Sequence, residues 1–202
     1  MIFSEHLAEL AKGGKASYLY NIRVNVRALW TGVYGLNEFY DGMVRSLEKG
    51  IYKAFEEAFA KYGMTMDELT PDEKGAMFNY MYGQSNYIER FGQSIFENSK
   101  TNGGKLGQHF TRVEKWASRY EEANNLALNY AAKNQHLMWV LGPTVDHCIS
   151  CLKLAGKVKR GNVWLSRNIR PQSPNLACGG WGHCYFVPTT QPASRGPLPS
   201  IP

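Results

Sequence analysis

From Leu19 to Ala58 a series of apolar residues recurs at steps of three and four throughout: Leu19, Ile22, Val26, Leu29, Val33, Leu36, Tyr40, Val44, Leu47, Ile51, Phe55 and Ala58. A strand would need a period of two, so this spacing commits the first third of the chain to helix with one apolar face. Gly32, Gly35, Gly42 and Gly50 interrupt the run, each at a cost of up to about 1 kcal/mol relative to Ala in a helix interior. The expectation is one long helix from about Ala16 to Tyr62, or two with a break near Gly32 to Gly35, stopping at Gly63.

Two Thr-x-x-Glu phrases follow, Thr65 to Glu68 and Thr70 to Glu73, each with the form of a capping box. The second carries Pro71 at the first helical position, where a missing N–H costs nothing. A second helix is predicted from Pro71 to about Ser99, with Met77, Tyr80, Met81, Tyr87, Ile88, Phe91, Ile95 and Phe96 on its face. Thr101-Asn102-Gly103-Gly104 ends it. A third, from about Lys105 to Asn134, places Leu106, Phe110, Val113, Trp116, Tyr120, Ala123, Ala127 and Tyr130 on one side. Helices of about thirty residues span roughly 45 Å and need a partner to be stable in water. Residues 1–136 are therefore expected to form a long-helix body, a bundle or hairpin.

The pattern changes at Leu137. Met138 to Leu141, Val158, Val163-Trp164-Leu165 and Tyr185 to Val187 read as short strands separated by Gly, Pro and Asn. Residues 137–188 fit a small α+β module, and residues 189–202 a Pro-rich extended tail, disordered unless bound. The fold class is mainly α, with the small module and tail appended. No apolar run is long enough to span a membrane. The first residues lack the basic and apolar regions of a signal peptide, so a reducing cytosol is the expected compartment.

All four cysteines lie in the module: Cys148-x-x-Cys151, Cys178 and Cys184. In a reducing compartment such a set points to metal more than to disulfides. Zinc takes four N or S ligands in a tetrahedron, and Cys148, Cys151, Cys178 and Cys184 supply them, with His183 as the substitute. The module has few large apolar residues, and a structural Zn2+ would offset much of its ordering entropy. The same cysteines could also stand reduced and unliganded, or pair as disulfides. A catalytic zinc fits less well, because no Asp or Glu follows Asp146 to serve as a base. No nucleophile elbow and no phosphate-binding Gly-Lys-Ser/Thr phrase occurs, so an enzyme is not expected.

Charge is uneven. Of the formal net charge of +6, the segment from His147 onward contributes seven Lys and Arg and no acid. Lys153, Lys157, Lys159, Arg160, Arg167 and Arg170 lie between the two pairs of cysteines and are candidate phosphate contacts. A solvated loop is the plainer reading of these residues. Trp164 and Trp181 could stack on bases or form a small core beside the metal. His6, His109 and His136 are isolated.

The phrase Trp139-Val140-Leu141-Gly142-Pro143-Thr144-Val145-Asp146-His147-Cys148-Ile149-Ser150-Cys151 resembles a stretch of the tailed-phage head morphogenesis proteins, the minor head proteins. Leu154-Ala155-Gly156-Lys157-Val158, the Pro171 to Pro174 loop, and Cys178, His183 and Cys184 ahead of Tyr185-Phe186-Val187-Pro188 continue the likeness, which covers about residues 137 to 190. Where the family often closes with a His or Cys two residues before Cys-x-Cys, this chain has Cys178-Gly-Gly-Trp-Gly-His183-Cys184, so the resemblance does not name the fourth ligand. It implies a non-enzymatic minor virion component, assembled in the host cytoplasm. Its partners would be the portal or major capsid protein and packaged double-stranded DNA, with homo-oligomerisation left open. The alternative is a nucleic-acid-binding zinc protein outside any virion.

Overall fold

The computed structural model describes residues 14–143 and 146–201. The N-terminal stretch with His6, the Thr144-Val145 pair of the cysteine-bearing phrase, and Pro202 lie outside the described residues.

Five α-helices come first among the described residues: α1 (Gly14–Thr31), α2 (Leu36–Ala60), α3 (Pro71–Ser85), α4 (Ile88–Glu97) and α5 (Leu106–Ala131), with short 3-10 turns at Met66–Glu68 and Lys100–Asn102. Then follow β1 (His136–Val140), α6 (Ile149–Leu154), β2 (Val158–Arg160), α7 (Gly161–Ser166) and β3 (Tyr185–Pro188). No helix among the described residues is long and apolar enough to cross a membrane. The chain is mainly α with a small three-stranded sheet and a cysteine cluster near its C-terminus.

The break between α1 and α2 falls where the glycines put it. Gly32 adopts φ +78, a left-handed angle that an L side chain resists. The break also resets the helical phase: Val33 is 76% exposed and Tyr40 43%, while Phe39 and Met43 are buried in their place. Gly42 and Gly50 sit against the side chains of Asn25 and Tyr18, where an added Cβ would overlap them, so part of their helical cost is returned as close packing of α1 on α2.

The helix expected from Pro71 to Ser99 is two helices. The chain turns through Asn86 and Tyr87 and restarts at Ile88. Ile88, Phe91 and Ile95 are buried, whereas Tyr87 and Phe96 are exposed. The turn changes which residues share a face, so these two aromatics leave the predicted stripe.

The chain forms two compact units. Over the described residues the first comprises 14–53 and Lys74–Ala117. Its core is built from Ile22, Val26, Leu29, Phe39, Leu47, Ile51, Phe91, Ile95 and Val113. The Phe91 ring meets Phe39 edge-on at 6.0 Å, and the Arg112 guanidinium lies 4.7 Å from its centroid. Asn25 and Ser46 form a buried hydrogen bond at 3.1 Å.

The second unit comprises Ala54–Glu73 and residues 118–201. It takes in the last turns of α2 and the second half of α5 together with the sheet. Within it the second capping box closes reciprocally. Thr70 N–H donates to Glu73 Oε2 at 2.8 Å and Glu73 N–H to Thr70 Oγ1 at 3.4 Å.

The sheet order is β2-β1-β3, all antiparallel, with Leu137 opposite Lys159 and Trp139 opposite Phe186. Leu137 and Trp139 point inward, as the two-residue period of a strand requires. Val163-Trp164-Leu165, read as a strand, lies in α7. A three-residue apolar run carries no period, and the Gly161 N–H, donating to Ala132 O and Gln135 O, fixes the start of that helix. Trp164 belongs to the core: its ring lies 5.9 Å from Trp139 and 5.0 Å from Phe186, and its indole N–H donates to Leu137 O.

The tail contains no helix or strand, as expected, but it is tied down. Ser194 N–H donates to Val158 O, Val158 N–H donates to Ser194 Oγ, and the Lys159 ammonium reaches the carbonyls of Ser194 and Gly196 at 2.5 and 2.6 Å. The outer edge of β2, which would otherwise leave unpaired backbone groups, is covered by this segment.

Candidate metal centre

Cys148 stands at the N-cap of α6, where its sulfur accepts the Cys151 N–H at 3.4 Å. One helical turn therefore presents two sulfurs to one point. Cys178 reaches the same point from the loop between α7 and β3. Ser150 Oγ, fully buried, accepts the Ala177 N–H at 3.0 Å and holds that loop against α6. The sulfurs of Cys148, Cys151 and Cys178 lie within 4.8 Å of one another, so these three residues could hold a metal ion. Tetrahedral zinc with Zn–S near 2.3 Å would bring its sulfurs to roughly 3.8 Å apart, a closure of about 1 Å at most.

Cys184 precedes β3 and is 1% exposed. It lies beside Cys151 but outside the group of three. Its sulfur is 3.9 Å from His147 Nδ1. The Cys151 thiol foremost, then the Gly142 N–H, His147 and the Trp139 indole, draw the Cys184 thiol down to about 6 against the effect of burial. Cys151 is pushed the other way by Cys184 and by burial. At Cys148, burial opposes the thiolate, but hydrogen bonds from Cys151 and Cys178 outweigh it and lower the pKa. The shifts run in opposite directions because neighbouring thiols share hydrogen bonds, so that one sulfur carries negative charge more readily when the next keeps its proton. All four cysteines are free thiols.

His183, the predicted substitute ligand, is exposed and lies outside the group of three. Its backbone presses on Gly142, where a Cβ would collide with the His183 carbonyl. His147, by contrast, has its Nδ1 beside a sulfur, that of Cys184. Its adjacency to Cys148 was visible in the sequence, but its direction was not.

Around the sulfurs runs a polar network that no motif announces. Gln172, 2% exposed and with φ 58, donates through Nε2 to Cys184 O at 2.7 Å and accepts at Oε1 from Asn125 Nδ2 at 2.8 Å. Asn125 Oδ1 accepts the Phe186 N–H at 3.0 Å. Glu122, 1% exposed, receives Arg119 and Arg170, each at 2.7 Å. Arg119 also donates to the carbonyls of Gln172 and Gly180. Asn125, Glu122 and Arg119 stand on α5 and brace both ends of the sulfur-bearing loop.

The candidate phosphate contacts divide. Arg170 is spent on Glu122, and Lys159, 9% exposed, on tail carbonyls. Lys153 Nζ donates to Ser200 O at 3.3 Å. Arg160 and Arg167 are exposed, and Lys157 is half-buried. Trp181 is 50% exposed and Trp164 fully buried.

Comparison with known proteins finds no matching family model, no similar curated protein and no similar solved structure.

Proposed function

We propose that the second unit carries a structural zinc site and that the chain is a non-enzymatic minor head protein of a tailed phage or prophage. In this reading it docks on the portal or major capsid protein during head morphogenesis and DNA packaging or delivery. The observation that carries the metal reading is the convergence of Cys148, Cys151 and Cys178 from two separate segments onto one point. Cys184 is the fourth ligand in this reading, since it already adjoins Cys151 and directly precedes β3. His147 is the competing donor. Bound zinc would lock the α6 turn to the loop before β3, supplying order that a small aromatic core of Trp139, Trp164 and Phe186 supplies only in part.

The virion role is supported by the likeness of Trp139 to Val158 and Pro171 to Pro188 to the minor head proteins. It is tested by expressing the chain with the portal and major capsid proteins of its own genome. Stoichiometric co-purification is the expected result. The alternative, a nucleic-acid-binding zinc protein, has Arg160 and Arg167 in its favour as outward cations. It predicts instead that the isolated chain binds free duplex with a steep salt dependence and a sequence preference.

A further inference from the structure

The tail and the sheet enclose a second feature, away from the sulfurs. A cleft of about 400 Å³ opens between β2, α7 and the tail, with Lys159, Arg160, Arg167 and His136 on one part of its wall and Val163 and Leu198 on another. Arg160 ends β2 and Arg167 follows α7, so the two arginines flank one short helix and both line the cleft. Both are exposed. Among the described residues no hydrogen bond or ion pair engages either one, in contrast to Arg170, whose charge Glu122 neutralises. The Lys159 ammonium gives two of its three protons to the carbonyls of Ser194 and Gly196, leaving one donor. His136 Nδ1 meets Gln191 O at 2.8 Å, which holds the ring against the tail. No acidic residue lines the cleft, and none follows Asp146 in the sequence.

We infer that this cleft binds a phosphate monoester carried on a flat or apolar body of about one nucleoside. Two guanidiniums and an ammonium suit the oxygens of a phosphoryl group, with guanidinium forks giving paired hydrogen bonds. The apolar wall offers the rest of the ligand a surface. The volume lies at the small end of ligand pockets, roughly 300–1,000 Å³. It accommodates a free nucleoside monophosphate or the terminal nucleotide of a strand.

The test is calorimetric titration of the full chain with adenosine 5′-monophosphate, adenosine, inorganic phosphate, and a short single strand with and without a 5′-phosphate. The expected result is 1:1 binding of the monophosphate, at least about tenfold tighter than adenosine or inorganic phosphate. Arg160→Ala with Arg167→Ala should weaken it at least about tenfold, while Arg45→Ala with Lys49→Ala, an equal loss of charge on the first unit, leaves it unchanged. Tighter binding of the 5′-phosphorylated strand than of the monophosphate assigns the site to strand ends, and the reverse order to free nucleotides. The inference is overturned if adenosine binds as tightly as its monophosphate, if nothing binds at millimolar concentration, or if both double variants behave alike. Metal content measured on the same variants keeps this result separate from the zinc reading, because neither arginine touches a sulfur.

Discussion

Gln172 Nε2 donates to the carbonyl oxygen of Cys184 at 2.7 Å. A buried amide from the loop thereby fixes the backbone that carries a sulfur into β3, and its other end is held by Asn125 on α5. The site is positioned as much by α5 as by its own module.

Gln172→Ala removes the partner of Cys184 O and one of the two acceptors of Asn125 Nδ2, leaving it only Glu121 O. Each unsatisfied buried group costs about 1–3 kcal/mol. The expected outcome is a loss of at least about 2 kcal/mol in urea unfolding and weaker metal retention under chelator competition. A variant of unchanged stability that holds metal as well as the parent would contradict the bracing role.

Glu122 pairs with both Arg119 and Arg170 in that buried cluster. Glu122→Gln removes the carboxylate charge that both guanidiniums meet, and breaking a buried pair from one side typically costs about 3–5 kcal/mol. Chemical denaturation should register a loss of that order. Arg170→Met alone should cost less, since Arg119 still neutralises Glu122.

Lys159→Met cuts the two contacts from its ammonium to the tail. Amide hydrogen exchange should rise several-fold at Ser194, whose N–H is bonded to Val158 O, while amides of α5 stay protected. Unchanged exchange at Ser194 would mean the backbone bonds hold the tail without the lysine.

His109 is 2% exposed, and its pKa is lowered from 6.5, first by burial and then by the nearby Arg112 charge, against a hydrogen bond with Asn98. The folded state therefore takes up this proton less readily than the unfolded chain. Its contribution is complete above about pH 6.5 and is lost as pH falls from there through the lowered native value, with a slope of at most about 1.4 kcal/mol per pH unit. Urea midpoints measured from pH 7.5 down to 5 should fall more steeply for the parent than for His109→Gln. Parallel slopes would rule the histidine out.

What was legible in the sequence is what local chemistry dictates. Gly32 marked the first break, Thr70 and Glu73 marked a helix start, and Trp139 and Phe186 lay on strands as expected. The turn at Asn86 and Tyr87 carried no Gly or Pro to announce it. Trp164 sits in an apolar run too short to separate helix from strand. Gln172, Asn125 and Glu122 are polar residues whose burial depends on partners 47 to 61 residues away, and no local pattern encodes such pairings. The cysteines were legible as a set, but their geometry was not. Three sulfurs converge, Cys184 adjoins them beside His147, and His183 lies outside the group.

The most direct test is the metal content of reduced, purified protein, followed by removal of the metal. The account predicts about one zinc per chain, lost in Cys148→Ser with Cys178→Ser, and a melting temperature that drops by about 10 °C or more under a strong chelator. Parent protein that purifies without metal, gains no stability on addition of zinc and melts at the same temperature as the double serine variant would contradict it.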